Sequence, residues 1–129
     1  MNQEKDGNKA FFLDTYALYG LALGNESYKD YFVDLENITT IMNLYELYYS
    51  LLRESLDSEA KIFFERFLPV CVEIKPEFVK EAAMFRLQNK KLDLSYIDAL
   101  GYVIAKNKEI KFLTGDEKFR KMANVEFVK

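Results

Sequence analysis

Four acidic residues of this 129-residue chain stand where apolar stretches end or where an apolar helix face is interrupted. Ala10-Phe11-Phe12-Leu13-Asp14-Thr15 and Ile110-Lys111-Phe112-Leu113-Thr114-Gly115-Asp116 are short apolar runs closed by an aspartate. Ile38-Thr39-Thr40-Ile41 is followed by Glu46, and Asp98 lies inside Leu94-Ser95-Tyr96-Ile97-Asp98-Ala99-Leu100. Open α/β sheets place their ligands at strand ends. Carboxylates gathered there repel one another and need a cation to offset the repulsion. The chemistry these residues point to is a divalent metal held by oxygen ligands.

Composition removes several alternatives. With no histidine in the chain, Ser-His-Asp and Cys-His hydrolysis, histidine-ligated zinc and histidine acid–base cleavage of RNA all lack their central residue. The one cysteine, Cys71 in Val70-Cys71-Val72, can form no internal disulfide and reads as a small buried hydrophobe. Any hydrolytic chemistry falls to carboxylates, a hydroxyl, lysine or a hard metal. Half of the residues are apolar, enough for one real core at this length. The chain shows no secretory signal and no long apolar span, so a cytoplasmic protein without a membrane segment is expected. The net charge of −3 hides an asymmetry. Residues 1–65 carry 5 Lys and Arg against 12 Asp and Glu, whereas residues 66–129 carry 13 against 9. Acids for a metal and cations for phosphates are what a metal-dependent nuclease needs, although charges that merely solvate helix faces explain most single lysines.

The elements that must position the acids follow from periodicity. Residues 1–9 are polar and aperiodic and read as a loose N-terminal arm, leaving residues 10–129 as one domain. Strands are expected at residues 10–13, 37–41, 70–74, 111–114 and 125–128, where short β-branched or aromatic runs occur. Helices are expected at 15–23, 26–35 (capped by Asn25 or Ser27), 43–55, 58–67, 76–89, 95–106 and 117–122. Strands alternating with helices imply an α/β domain whose central, mostly parallel sheet is covered on both faces.

Each acid also has an ordinary explanation. Asp14 and Asp116 are placed to cap helices. Glu46 sits one turn into its helix, bordered by Met42, Tyr49 and Arg53, as a surface glutamate near the positive helix end would. Asp98 faces Leu94, Gly101, Tyr102 and Ala105, where a carboxylate is costly unless paired or ligated, yet Ser95 and Asp98 also match a capping box. Thr114 can cap its turn or orient a water or phosphate. The weight of the pattern lies in several βα junctions and one helix interior presenting acid toward one sheet end.

In these segments the sequence resembles the PIN-domain family, in particular VapC-like toxin ribonucleases. The resemblance runs through Phe11-Phe12-Leu13-Asp14-Thr15, the Glu46 helix, Leu94-Ser95-Tyr96-Ile97-Asp98-Ala99-Leu100 and Phe112-Leu113-Thr114-Gly115-Asp116-Glu117-Lys118-Phe119. It implies a three-layer α/β/α domain and Asp14, Glu46, Asp98 and Asp116 as an acidic quartet around Mg2+ or Mn2+, with Thr114 assisting. It further implies an RNA substrate, single-stranded or structured, cut to leave a 5′-phosphate and a 3′-hydroxyl, together with a homodimer and a small antitoxin. Tyr16 departs from the Asn or Ser common in the family after Asp-Thr, which bears on the hydrogen bonds supporting Asp14. Arg86, Lys118 and Arg120 are candidate contacts to the RNA backbone. Two other readings remain open: a PIN-like binding or scaffold module without efficient cleavage, and a processing nuclease outside any toxin–antitoxin pair. A receiver-type signalling domain requires paired acids after the first strand, and the spacing does not fit it.

Overall fold

The computed structural model describes residues 10–32 and 36–129. The expected arm at residues 1–9 and the end of the expected helix at 33–35 lie outside the described residues. Strands β1 (Phe11–Leu13), β2 (Lys111–Thr114) and β3 (Val125–Phe127) form a parallel sheet in the order β1-β2-β3. Five α-helices stand among the described residues: α1 (Thr15–Ala22), α2 (Ile41–Arg53), α3 (Asp57–Phe67), α4 (Pro76–Gln88) and α5 (Tyr96–Asn107).

The strands expected at 37–41 and 70–74 are shorter than the sequence suggests. Each is reduced to a single parallel bridge, Phe12 with Ile38 and Thr39 with Cys71, which carries the sheet beyond β1. The reason is local. The Thr40 hydroxyl accepts the Asn43 amide and starts α2 at Ile41, so a β-branched run is spent on a helix cap. On the other segment, a 3₁₀ turn at Leu68–Val70 and Pro76 at the start of α4 leave little room for a ladder. The helix expected from residue 26 is a 3₁₀ turn, Glu26–Phe32, entered through an Asn25 side chain that accepts the Ser27 amide at 2.9 Å. The helix expected at 117–122 is likewise a 3₁₀ turn, Glu117–Phe119.

Both faces of the sheet are covered, which is why its strands read as continuous apolar runs. Phe11, Leu13 and Leu113 pack with Ala17, Leu18, Leu44, Leu47, Leu51, Ala60 and Phe67 of α1, α2 and α3. On the opposite face Phe12 and Phe112 pack with Phe78 of α4, with Tyr102, Ile104 and Ala105 of α5, and with Phe119. The result is a three-layer α/β/α domain with α1–α3 on one side and α4–α5 on the other. Phe12 and Phe112 stack with ring centroids 5.7 Å apart. Fully burying one such side chain contributes about 1.5–3 kcal/mol. α5 approaches these rings through Gly101, where an added Cβ would lie 2.7 Å from Phe12 Cε1 and 3.1 Å from Phe112 Cε1. Gly101→Ala is therefore expected to destabilise the domain by about 1–3 kcal/mol through overpacking. A lowered urea midpoint with an unchanged slope is the measurement that checks it.

The aromatic run of α2 divides between core and surface. Tyr48 is half-buried and meets Phe64 edge-on at 5.6 Å, whereas Tyr45 and Tyr49 are exposed. Cys71 is partly buried, its thiol pushed up by burial, in keeping with an inert packing residue. Among the described residues no helix is long and apolar enough to cross a membrane.

Candidate metal centre

The parallel strands all run toward one edge, and the chain leaves that edge at Asp14 after β1 and at Asp116 after β2. Pairing of Leu13 with Leu113 sets these two exits side by side, and the Asp14 amide donates to the Leu113 carbonyl at 3.1 Å. α5 brings Asp98 to the same edge in its first turn. Asp14, Asp98 and Asp116, together with Thr15, Ser50 and Arg53, line one open cavity of about 330 Å³.

Asp14 is only 2 % exposed. It stands at the N-cap position of α1 but makes no side-chain capping bond; instead its Oδ2 accepts the Thr114 hydroxyl at 2.6 Å. Thr114 in turn receives the Asp116 amide on the same oxygen at 3.1 Å. Burial, and then the Asp98 charge, push the Asp14 carboxyl up to about 7, while the Thr114 hydroxyl opposes the shift. Between Thr114 and Asp116 the backbone is pinned, because a Cβ on Gly115 would strike the Val128 carbonyl and the Tyr16 ring.

Glu46 reaches the site through a relay of small polar groups. The Thr40 hydroxyl donates to Asn43 Oδ1 at 2.6 Å, Asn43 Nδ2 donates to the Thr15 hydroxyl at 3.1 Å, and Thr15 donates to Glu46 Oε1 at 2.7 Å. Partial burial raises the Glu46 carboxyl, and the nearby Asp98 charge adds to the rise. Thr15 and Asn43 thus supply polar support on the α1–α2 side of the site, where Tyr16 has no amide or hydroxymethyl group to offer.

For Asp98 and Asp116 the capping explanation and the site explanation both hold. Asp98 Oδ2 accepts the Ser95 amide at 3.1 Å while its own amide donates to Ser95 Oγ at 3.0 Å, a reciprocal capping box. Burial still raises its carboxyl; the Ser95 bonds and Lys118 oppose, and Asp116 reinforces. Asp116 Oδ1 accepts the Lys118 amide at 3.0 Å.

Among the described residues no three of these acids stand close enough to form a ready-made cage around one ion. Asp14, Asp98 and Asp116 share a cavity rather than a single point, and Glu46, which does not line that cavity, is joined to it through Thr15. The donor set nevertheless fits a hard cation: the groups are carboxylates and hydroxyls, and Mg2+ keeps most of its waters, binding through only one or two protein carboxylates. Burial first, and neighbouring acid charge second, raise the carboxyls of Asp14, Glu46 and Asp98, and a bound cation would offset both.

Of the basic residues singled out by sequence, Lys118 lies at the site, its ammonium donating to the Asp93 carbonyl at 2.8 Å. Arg86 lies further along, bonded to the Leu94 carbonyl at 2.6 Å. Arg120 is engaged elsewhere, in an ion pair with Glu117 at 2.9 Å and over the Phe127 ring at 4.3 Å. The sequence reading passed over Arg53 and Ser50 as site residues. Both were signalled by their spacing of seven and four from Glu46 along one helix face.

Asp14, Asp98 and Asp116 thus gather at the carboxyl edge of a parallel sheet within an α/β/α domain. The sequence matches the PIN domain family over residues 11–125. The chain belongs to the PIN-domain family. No curated protein matches the chain. Among solved structures, it is similar to VapC20 of Mycobacterium tuberculosis, described as a toxin that cleaves the sarcin-ricin loop. That likeness has a TM-score of 0.76 at 19% identity and covers 92% of this chain and 99% of the other. A toxin–antitoxin complex from Klebsiella pneumoniae aligns with a TM-score of 0.72 at 16% identity, over 90% and 95% of the two chains. VapBC2 from Rickettsia felis, bound to a DNA fragment from its promoter, gives 0.70 at 16% identity, over 93% and 99%. At these identities the likeness is one of fold.

Proposed function

We propose that this protein is a divalent-metal-dependent endoribonuclease acting in the cytoplasm, and the toxin of a toxin–antitoxin pair. The observation that carries the reading is that Asp14, Asp98 and Asp116, from separate stretches of the chain, line one cavity at the carboxyl edge of the sheet. Membership of the PIN-domain family supports it, as do structural neighbours named as toxins and toxin–antitoxin complexes. In this reading the domain forms a homodimer and is held in check by a small antitoxin. Exposed Tyr45, Tyr49 and Leu52 on α2 leave apolar surface for protein partners.

Asp14 and Asp98 are the residues that would hold the principal Mg2+ or Mn2+, with Asp116 and Glu46 completing the set. A bound divalent ion supplies Lewis acidity toward the phosphate and eases deprotonation of the attacking water. Thr114 holds the Asp14 carboxylate in one orientation, which spares the site a reorganisation cost during reaction. Glu46, fixed by the Thr15 hydroxyl and with its carboxyl raised by partial burial, is placed to orient a water of that ion or to accept a proton from it. Lys118 and Arg53 offset phosphate charge, giving affinity without sequence choice.

One observation favours the rival reading of a binding module without cleavage. Asp98 and Asp116 each commit an oxygen to a helix or turn cap. A single assay separates the two readings: cleavage of single-stranded RNA by the purified, antitoxin-free protein with and without Mg2+. Cleavage that EDTA abolishes is expected. Asp98→Asn is expected to remove activity while retaining the fold, since an Asn side chain keeps the bond from the Ser95 amide. RNA binding without cleavage at any Mg2+ concentration would favour the module.

A further inference from the structure

Beside the acid cavity, the end of α4 and the start of α5 leave a groove of about 440 Å³ lined by Arg86, Lys90, Asp93, Leu94 and Tyr96. It continues into an apolar cleft of about 260 Å³ that shares Arg86 and Tyr96. Tyr96 occupies the first position of α5 and is 77 % exposed. Its ring is nonetheless fixed on one side. The Arg86 guanidinium lies 4.2 Å from the ring centroid, well within cation–π range. Arg86 Nε donates to the Leu94 carbonyl at 2.6 Å, so the guanidinium is a held plane rather than a swinging cation.

Two features tie this platform to the acid cavity. Tyr96 and Asp98 stand two residues apart in the first turn of α5, so the platform and the acid share one helix end although their side chains leave different sides of it. Lys118 spans the gap: its ammonium binds the Asp93 carbonyl of the groove and its amide binds Asp116 of the cavity. In the groove the cations Arg86 and Lys90 face a single carboxylate, Asp93, and the Lys118 ammonium reaches its rim at the Asp93 carbonyl. A polyanion suits that balance better than a second protein surface, which would have to bury these charges. An exposed aromatic plane flanked by cations is the chemistry of a nucleobase-stacking site.

We propose that Tyr96, held by Arg86, stacks a base of single-stranded RNA beside the phosphate engaged at the acid cavity, with Lys90 and Lys118 along the backbone path. The proposal rests on the ribonuclease reading above. It assigns base recognition to stacking, which tolerates sequence, rather than to hydrogen-bonded readout.

The test uses the full-length protein in EDTA, so that cleavage is off, and a single-stranded RNA decamer with 2-aminopurine at successive positions. Fluorescence quenching at one position in the wild type, lost in Tyr96→Ala and kept in Tyr96→Phe, is the expected result. Tyr96→Ala is expected to weaken binding about tenfold without altering the salt slope, whereas Lys90→Ala lowers that slope by about one. Ile62→Ala, exposed on α3, serves as the control that leaves affinity unchanged. Equal affinity and quenching in wild type and Tyr96→Ala would overturn the platform, as would a Tyr96→Ala defect accompanied by loss of a dimer in sedimentation. If the wild type neither binds nor cleaves RNA, the ribonuclease reading itself fails; if it does both and Tyr96 is indifferent, only the platform falls.

Discussion

Asp14→Asn is expected to abolish Mg2+-dependent RNA cleavage and, at pH 8, to raise the melting temperature of the metal-free protein. The two effects share one cause. The carboxylate is almost wholly buried beside Asp98, and without a cation its charge is held against burial and repulsion, which push its pKa from 3.8 to about 7. Each pKa unit is worth 1.36 kcal/mol, so the charged form disfavours the metal-free fold by up to about 4 kcal/mol above pH 7. Asn removes the charge and still offers an oxygen to the Thr114 hydroxyl. The cost appears in catalysis: a fall in kcat/KM of about 10³ corresponds to about 4 kcal/mol of lost transition-state stabilisation. Thermal melts in EDTA and cleavage rates in Mg2+ check both halves. A variant less stable than wild type at pH 8 would make Asp14 a structural residue and leave the metal reading without its strongest support.

The pH dependence of stability follows from the same group. Because the folded pKa of Asp14 lies above its unfolded value, the native state binds the extra proton between about pH 4 and pH 7. Its contribution is therefore fully present below the unfolded pKa and is lost as pH rises through about 7. Raised carboxyls at Glu46 and Asp98 act in the same direction. The metal-free protein is expected to gain about 2 kcal/mol between pH 8 and pH 5, a rise of about 5 °C or more in Tm. Added Mg2+ should stabilise strongly at pH 8 and weakly at pH 5.5, where protons occupy its ligands. Differential scanning at four pH values, with and without Mg2+, reads both. Stability that falls on acidification from pH 8 to pH 5 in EDTA would contradict the burial of Asp14.

The positions of Asp14 and Asp116 were legible because an apolar run that stops on an aspartate marks where a buried strand leaves the sheet. Both follow parallel strands, as the alternation of strands and helices implies, while the direct pairing of β1 with β2 is added by the structure. Asp98 was legible as a charge on an otherwise small and apolar helix face. What the pattern does not carry is how short a strand becomes when its neighbours compete for it. Thr39 and Thr40 read equally as strand and as helix entry, and Thr40 went to the cap. Two of the four acids also spend an oxygen on a local bond, and spacing in a sequence cannot separate a cap from a ligand when one side chain does both. Arg53 was legible only as a neighbour of Glu46: it lies in the acidic half of the chain, where a cation looks like a neutralising surface charge.

The bonds within the acid cavity bear on which ion it would accept under the proposed function. Thr114 holds one oxygen of Asp14, the Ser95 amide one oxygen of Asp98, and the Lys118 amide one oxygen of Asp116. Each side chain thus keeps one oxygen outside these bonds, which favours a monodentate grip on an ion. Calcium, large and accustomed to taking both oxygens of a carboxylate, is poorly served by such an arrangement, whereas a compact octahedral ion that brings its own hydration shell loses nothing.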